Sequence, residues 1–182
     1  MNIYFTASIV GKEKFLSNYL KIIDILQSQG HKVISDHIIK SSEDQINAES
    51  HEELEKFHKS LKKWIMESDC VVVETSFPSI SVGFEISLAL NLGKPVLLLF
   101  TNDPPSLLSS YENEKLISMF YKVYDLKTIL EDFLNYVRGK SEHRFTFFIN
   151  SKIANFLEET SRKKHLPKSV FVRGLIEKEI EK

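Results

Sequence analysis

Residues 69–85, DCVVVETSFPSISVGFE, constrain the fold more than any other stretch of the sequence. Residues 70–74 form a short run rich in β-branched apolar side chains, which is typical of a parallel strand buried on both faces. After Pro78 the apolar side chains recur at helical spacing, and this pattern ends at Gly93. The stretch therefore predicts a central strand that passes through a short turn directly into a helix.

The rest of the chain repeats this alternation of strand and helix. Further strands are predicted at 2–8, 32–35, 95–100 and 117–124, and further helices at 12–29, 51–68 and 126–138. The polar residues 38–50 predict a loop or an irregular lid. We expect an α/β fold with a five-stranded, parallel, doubly wound sheet of flavodoxin or Rossmann type and strand order 2-1-3-4-5. In such a sheet ligands bind between the loops that follow strands one and three, here residues 8–11 and 78–81.

The turn at 78–81 has the chemistry of an anion site. It offers free backbone amides, the hydroxyls of Ser79 and Ser81 and the positive end of a helix dipole. Glu85 follows Ser81 by one helical turn, about 6 Å, which is about the distance from a sugar 5′-phosphate to the anomeric carbon. A carboxylate held ionised there by the helix N-terminus can attack a glycosidic carbon. The residues alone equally allow an ordinary N-cap at Ser79 and a solvated acid at Glu85.

Four motifs of the sequence resemble one enzyme family. IYFTASI at 3–9, SDH at 35–37, DCVVVETSFPSISVGFEISLAL at 69–90 and GKPVLLLF at 93–100 are similar to the 2′-deoxynucleoside 5′-phosphate N-hydrolase branch of the nucleoside 2-deoxyribosyltransferase superfamily. The resemblance covers about residues 1–135. It implies a homodimeric enzyme that needs no cofactor or metal and cleaves the N-glycosidic bond of a (deoxy)nucleoside 5′-monophosphate. Transfer of the sugar to a second base is an alternative outcome of the same chemistry.

The resemblance also implies roles for individual residues. Glu85 falls on the nucleophile, and Tyr4 falls on an aromatic hydroxyl that orients this carboxylate or moderates its pKa. From the residues alone, Tyr4 can also be a half-buried strand tyrosine, and His37 can be an ordinary polar residue at a strand end. The substrate-binding positions that the resemblance implies are Ser79 and Ser81 in the phosphate turn, Ser8, Ile9 and His37 near the base and sugar, and Ser109, which reaches the phosphate of the neighbouring subunit.

Two positions depart from the family pattern. Leu61 stands where the family often has an aspartate, three residues before a tryptophan, that helps to protonate or position the base. Val10 replaces an arginine that follows the Ser-Ile of the first loop. The sequence therefore leaves the activation of the leaving base unexplained. An alternative function follows from these departures, a nucleotide-sensing, DNA-binding regulator whose front domain is catalytically weak or inactive.

The chain is predicted to divide into a front domain, residues 1–138, a linker, residues 139–143, and a small C-terminal unit, residues 144–182. In this unit an alternating strand precedes two short helices, the first with Ser151 as a possible cap. One strand and two short helices cannot bury a core alone, so we expect the unit to dimerise. Its length and order resemble the ribbon-helix-helix family, whose paired strands lie in the DNA major groove.

The C-terminal unit is also the better candidate for a DNA partner. Residues 141–182 hold nine Lys and Arg against six Glu, or +3, while residues 1–140 hold 15 basic against 19 acidic residues, or −4. An apolar Phe148 at a base-reading position more often marks a protein contact, so dimerisation without DNA is the alternative. The predicted DNA contacts are Arg144, Thr146 and Phe148 on the strand, and Lys168 and Ser169 at the start of the second helix.

Composition and residue patterns argue against several other classes of protein. Hydrophobic residues make up 42% of the chain and charged residues 27%, and no apolar run reaches the length of a membrane span. The first residues lack the pattern of a signal peptide, and the single cysteine, Cys70, cannot form a disulfide framework, so a cytoplasmic location is expected. His51 and His58 lie a heptad apart without a third ligand, which predicts a solvated helix face and no metal site.

Overall fold

Five parallel strands organise the first of two units, Met1–Glu142, in the computed structural model. They are β1 (Asn2–Ala7), β2 (Lys32–Ile34), β3 (Cys70–Glu74), β4 (Val96–Phe100) and β5 (Leu116–Phe120). Their order in the sheet is β2-β1-β3-β4-β5, which confirms the predicted order. The structure describes residues 1–42, 50–102, 113–139, 149–164 and 168–180.

Helices cover both faces of this sheet. They are α1 (Lys12–Ser28), α2 (Asp36–Ile39), α3 (His51–Glu67), α4 (Ile80–Asn91) and α5 (Leu126–Val137). Successive residues of a strand point to opposite faces, so β3 supplies Cys70 and Val72 to one core and Val71 and Val73 to the other. The first core contains α1 and α5, and the second contains α3 and α4. The central strand is therefore buried on both sides.

The fifth strand is shorter than its apolar pattern predicts. It ends at Phe120, and the sequence predicts that it continues to Tyr124. Tyr121 is buried, while the side chain of Asp125 accepts a hydrogen bond from the Lys122 amide at 2.8 Å. This bond closes a turn that leads into α5, so the chain leaves the sheet before the apolar run ends.

Helix α2 occupies the start of the segment for which a polar loop is predicted. Ile38 is buried in the core on the α1 side of the sheet, and this burial fixes one turn of helix directly after β2. The ammonium group of Lys12 donates to the carbonyls of Ile39 and Ser41, at 2.9 and 2.7 Å, and so ties this turn to α1. Residues 43–49 of the predicted lid lie outside the described residues.

The second unit, His143–Lys182, contains α6 (Ser151–Lys164) and α7 (Lys168–Ile180). Asn150 caps α6 in place of Ser151, because its side-chain oxygen accepts a hydrogen bond from the Ile153 amide at 3.0 Å. Most of the predicted strand, residues 144–148, lies outside the described residues, so the ribbon-helix-helix arrangement stays a prediction. Within the described ranges, no helix of either unit is long and apolar enough to span a membrane.

Candidate active site

A cavity of about 540 Å³ opens at the carboxyl ends of β1 and β3. This is the place at which a doubly wound sheet with this strand order binds ligands. Buried side chains form its floor, while exposed apolar side chains such as Ile80, Phe84 and Val10 stand at its rim. Several residues that the sequence analysis selects line the cavity together: Ser8, Ile9, His37, Ser79, Ser81 and Glu85.

Three buried polar side chains form a hydrogen-bonded row, and two of them, His37 and Glu85, line the cavity. The hydroxyl of Tyr4 donates to Oε2 of Glu85 at 2.9 Å and lies 2.8 Å from Nε2 of His37. Because the only hydroxyl proton of Tyr4 points to Glu85, the tyrosine oxygen accepts a hydrogen bond from His37, whose proton we assign to Nε2. Nδ1 of His37 is then an acceptor, and it has no partner among the described residues.

Burial sets the protonation of this row. It raises the pKa of Glu85 above the ordinary value, and the nearby hydroxyls of Thr6 and Tyr4 offset only part of that increase. The sequence predicts that the helix N-terminus favours the ionised form of this carboxylate, and burial acts in the opposite direction. Burial lowers the pKa of His37 to about 4, so the imidazole is neutral at neutral pH. Burial first, and then the charge of Glu85, raise the pKa of Tyr4 far above 10.

Aromatic rings hold His37 in place. Its ring is stacked on Tyr4 at 4.9 Å and on Trp64 at 5.2 Å between ring centroids. Phe57 packs edge-on against Trp64 at 6.1 Å. The sequence pattern places Leu54 and Phe57 on the buried stripe of α3, but both are partly exposed and line the cavity. The first turns of α3 therefore stand over the cavity, whereas its last turns cover the sheet.

The turn after β3 presents the N-terminus of α4 to the cavity. Ser79 is the N-cap, and its hydroxyl accepts a long hydrogen bond of 3.4 Å from the Val82 amide. The capping and anion-binding interpretations of Ser79 are compatible, because the first amides of a helix have no carbonyl partner within the helix. Ser81 is exposed in the first turn, and Glu85 follows one turn later. Helix α4 thus brings an anion-binding end and a buried carboxyl group to one cavity.

A second buried carboxyl group lies beneath this turn, on the opposite face of the sheet. Glu74, the last residue of β3, accepts hydrogen bonds from the amide and hydroxyl of Ser76 and from the Tyr121 hydroxyl at 3.2 Å. The Ser76 hydroxyl in turn accepts a bond from the Thr101 amide at 2.9 Å. Burial raises the pKa of Glu74, and the bonds from Ser76 and Tyr121 lower it in part. The network fixes the start of the turn that leads to Ser79, a role that the sequence analysis missed.

The loops that follow β1 and β3 touch at Gly11 and Phe77. A Cβ atom on Gly11 would lie 2.6 Å from Cβ of Phe77 and 2.8 Å from the Tyr19 hydroxyl. We therefore expect Gly11→Ala to push the loops apart and to lower the free energy of unfolding by about 1–3 kcal/mol in urea denaturation. Gly83→Ala is the control, because a Cβ there meets no atom within 4 Å. Equal stability of the two variants would contradict the proposed contact.

The remaining predicted residues are Ser109 and the predicted DNA contacts of the C-terminal unit. Ser109 lies outside the described residues, as do Arg144, Thr146 and Phe148. Lys168 begins α7 and forms an exposed ion pair with Glu158 of α6. The side chain of Ser169 also lies outside the described part of the chain. The predicted DNA contacts therefore stay predictions.

Comparisons with known proteins identify the family. Residues 3–142 match the family described as Nucleoside 2-deoxyribosyltransferase. A 5-hydroxymethyl-dUMP N-hydrolase from Rattus norvegicus is 31% identical over 109 residues, which are 60% of this chain and 66% of the rat protein. The enzyme of the same name from Esox lucius is 29% identical over 78% of this chain and 99% of its own. A solved 2-deoxyribosyltransferase from Bacillus psychrosaccharolyticus shares the fold, with a TM-score of 0.51 and 18% identity over 70% of this chain and 90% of that one.

Proposed function

The chain belongs to the nucleoside 2-deoxyribosyltransferase family, and from this premise we propose that it hydrolyses the N-glycosidic bond of (deoxy)nucleoside 5′-monophosphates. The products are the free base and the sugar 5-phosphate. One observation carries the proposal: a buried carboxyl group, hydrogen-bonded to Tyr4, shares a cavity with the N-terminus of its own helix. The names of the rat and pike relatives, both 5-hydroxymethyl-dUMP N-hydrolases, support this class of substrate.

The substrate phosphate binds at the N-terminus of α4, next to Ser79 and Ser81. One helical turn further on, Glu85 reaches the anomeric carbon and attacks it while the bond to the base breaks. Tyr4 holds Oε2, so Oε1 is the attacking atom. Water then attacks the same carbon and frees the carboxylate. No step requires a cofactor or metal ion, and a second base in place of water gives the transferase variant of the reaction.

The remaining site residues take supporting roles in this proposal. Ser8 and Ile9 border the sugar and base on one side of the cavity, and His37 offers its unpaired Nδ1 as a hydrogen-bond acceptor. Ser109 of a second copy contacts the phosphate, as the family resemblance implies. The rim residues Val10 and Phe84 are apolar and suit the flat face of a base.

Incubation with a panel of nucleotides tests the proposed function. Deoxy- and ribonucleoside 5′-monophosphates are compared with the same nucleosides lacking the phosphate, and released base is measured by chromatography. We expect release from at least one monophosphate and far slower release from its nucleoside, because the α4 terminus contributes binding only when a phosphate is present. If no base is released from any of these compounds, the proposed hydrolysis is contradicted.

Ser79→Ala is expected to raise KM for the monophosphate by about tenfold, because one hydrogen bond to a charged group is lost. The cap of α4 is lost as well, at a cost of about 1 kcal/mol in the free energy of unfolding. Steady-state kinetics measure the first effect and urea denaturation the second. Ser87→Ala, an exposed serine two turns along the same helix, is the control and should match the parent. An unchanged KM in Ser79→Ala would show that the phosphate does not bind at this turn.

The C-terminal unit serves as a pairing module in this proposal. Among the side chains that the structure describes, its helices expose the apolar Ile153, Phe156, Leu175 and Ile176, and a second copy of the same unit covers them. Light scattering on the full chain tests this, because Phe156→Lys should yield a smaller particle while the polar neighbour variant Lys152→Ala should not. An unchanged mass for Phe156→Lys would exclude pairing through this face.

A nucleotide-sensing, DNA-binding regulator is the second candidate function. The apolar Leu61 in the cavity wall favours it, because an acid at that position would help turnover. The excess of positive charge in residues 141–182 favours it too. Nucleotide binding without product formation, together with a DNA gel shift that weakens steeply with salt, would support the regulator and contradict the hydrolase.

A further inference from the structure

The leaving base needs a proton in the proposed reaction, on which this inference rests. Most nucleobases depart slowly as anions, so a proton donor on the base side of the cavity accelerates the step. Leu61, which lines the cavity and is only 3% exposed, supplies no proton. Glu85 is occupied as the nucleophile. Another cavity-lining group must therefore carry the proton.

His37 does not meet this need. Its single N–H, on Nε2, donates to the Tyr4 oxygen at 2.8 Å, and Nδ1, which has no partner in the described parts of the chain, carries no proton. A pKa of about 4 keeps the ring neutral at neutral pH. The stacked rings of Tyr4 and Trp64 hold it in this orientation. His37 can therefore accept a hydrogen bond from the substrate, but it holds no proton for the base.

His58 is the other imidazole of the cavity wall. It lies on α3 one turn before Leu61, on the same side of that helix, and it is solvent-exposed at the mouth of the cavity. Its ring centroid is 5.5 Å from that of Phe84, the residue next to Glu85 on α4. An imidazole is the side chain that can carry and release a proton near neutral pH. We propose that His58 is the catalytic residue that protonates the leaving base.

Protons and electrons balance over the two steps of the reaction. In the first, a carboxylate oxygen of Glu85 bonds to C1′, the C1′–N bond breaks, its electron pair goes to the base, and the base takes the proton of the His58 imidazolium. In the second, water bonds to C1′, the C1′–O bond to Glu85 breaks, and neutral His58 takes the proton of the water. The sum is nucleotide plus water giving base plus sugar phosphate, with both side chains restored.

Two substrates separate a proton donor from a residue that only shapes the cavity. One is the nucleotide that the parent cleaves best, and the other is 4-nitrophenyl ribose 5-phosphate, whose nitrophenolate leaves without a proton. We expect His58→Ala to lower kcat/KM for the nucleotide by about 100-fold and to leave kcat/KM for the nitrophenyl compound unchanged, because this ratio does not report the later attack of water. His51→Ala is the control, because His51 lies two turns earlier on α3, exposed and away from the cavity lining.

A rescue variant strengthens the test. Adding Leu61→Asp to His58→Ala places an acid one turn further along the same face, and we expect it to restore part of the nucleotide rate. Equal losses on both substrates, or no loss on either, would overturn the role of His58 while leaving the hydrolase intact. A parent that releases neither base nor nitrophenolate would overturn the hydrolase and the donor together.

Discussion

Glu85→Gln is expected to lower kcat for base release by roughly 10⁴-fold or more, since it replaces the proposed nucleophile by an amide of the same shape. The amide fits the same buried position and can still accept the hydrogen bond from Tyr4. Binding of the monophosphate should survive, because the α4 terminus and Ser79 are untouched. Chromatography of released base and calorimetry with the nucleotide measure the two effects. Residual turnover within tenfold of the parent would rule out Glu85 as the nucleophile.

The same substitution should stabilise the protein at neutral pH, which separates lost catalysis from lost folding. Burial raises the pKa of Glu85 in the folded state above the ordinary 4.5. The folded state therefore holds a proton that the unfolded state releases, and folding stability falls as pH rises from about 4.5 through the raised pKa. Glutamine carries no charge and avoids this loss. Thermal melting at pH 7 should show a higher Tm for Glu85→Gln than for the parent.

Tyr4→Phe is expected to lower kcat/KM by about 10–100-fold, because Glu85 loses the donor that orients Oε2. The hydroxyl also lowers the pKa of Glu85, so its removal raises that pKa further. Since attack needs the ionised carboxylate, the acidic limb of the pH profile, already above 4.5 in the parent, should move to still higher pH. A full pH profile of kcat/KM measures both effects.

Tyr136→Phe is the matched control for this loss of a hydroxyl. Tyr136 donates to the Glu114 carbonyl at 2.9 Å, just before β5 and away from the cavity lining. Its pH profile should superimpose on that of the parent. An acidic limb that stays in place in Tyr4→Phe would mean that the tyrosine acts only through packing, even if the rate falls.

Most of the fold could be predicted from patterns within short stretches of the sequence. The strand at residues 70–74 is a contiguous apolar run, and its turn and helix follow within eleven residues, up to Glu85. Such a segment places its own backbone amides and carboxylate, so the sequence alone predicts their proximity. The sheet order follows from the alternation of five strands with helices, which permits few parallel topologies.

Features that depend on contacts between distant elements could not be predicted from the sequence. Glu74 and Tyr121 are 47 residues apart and meet only because β4 pairs with both β3 and β5 and so brings the carboxyl ends of those two strands near each other. The raised pKa of Glu85 reflects burial by several elements, which a helix-dipole argument on one helix does not contain. The sequence analysis places His58 on a solvated face of α3, and His58 is exposed, but a helical pattern does not show that this face borders a cavity.

The central claim is that Glu85 forms a covalent bond to the sugar. Rapid acid quenching of the parent with its best nucleotide, followed by mass spectrometry of proteolytic peptides, tests it most directly. We expect a peptide containing Glu85 that is heavier by one sugar phosphate less water, and no such peptide from Glu85→Gln. Turnover without an adduct on that peptide, and without a labelled intermediate in chase experiments, would contradict the covalent bond. Glu85 would then act at most as a base that activates water.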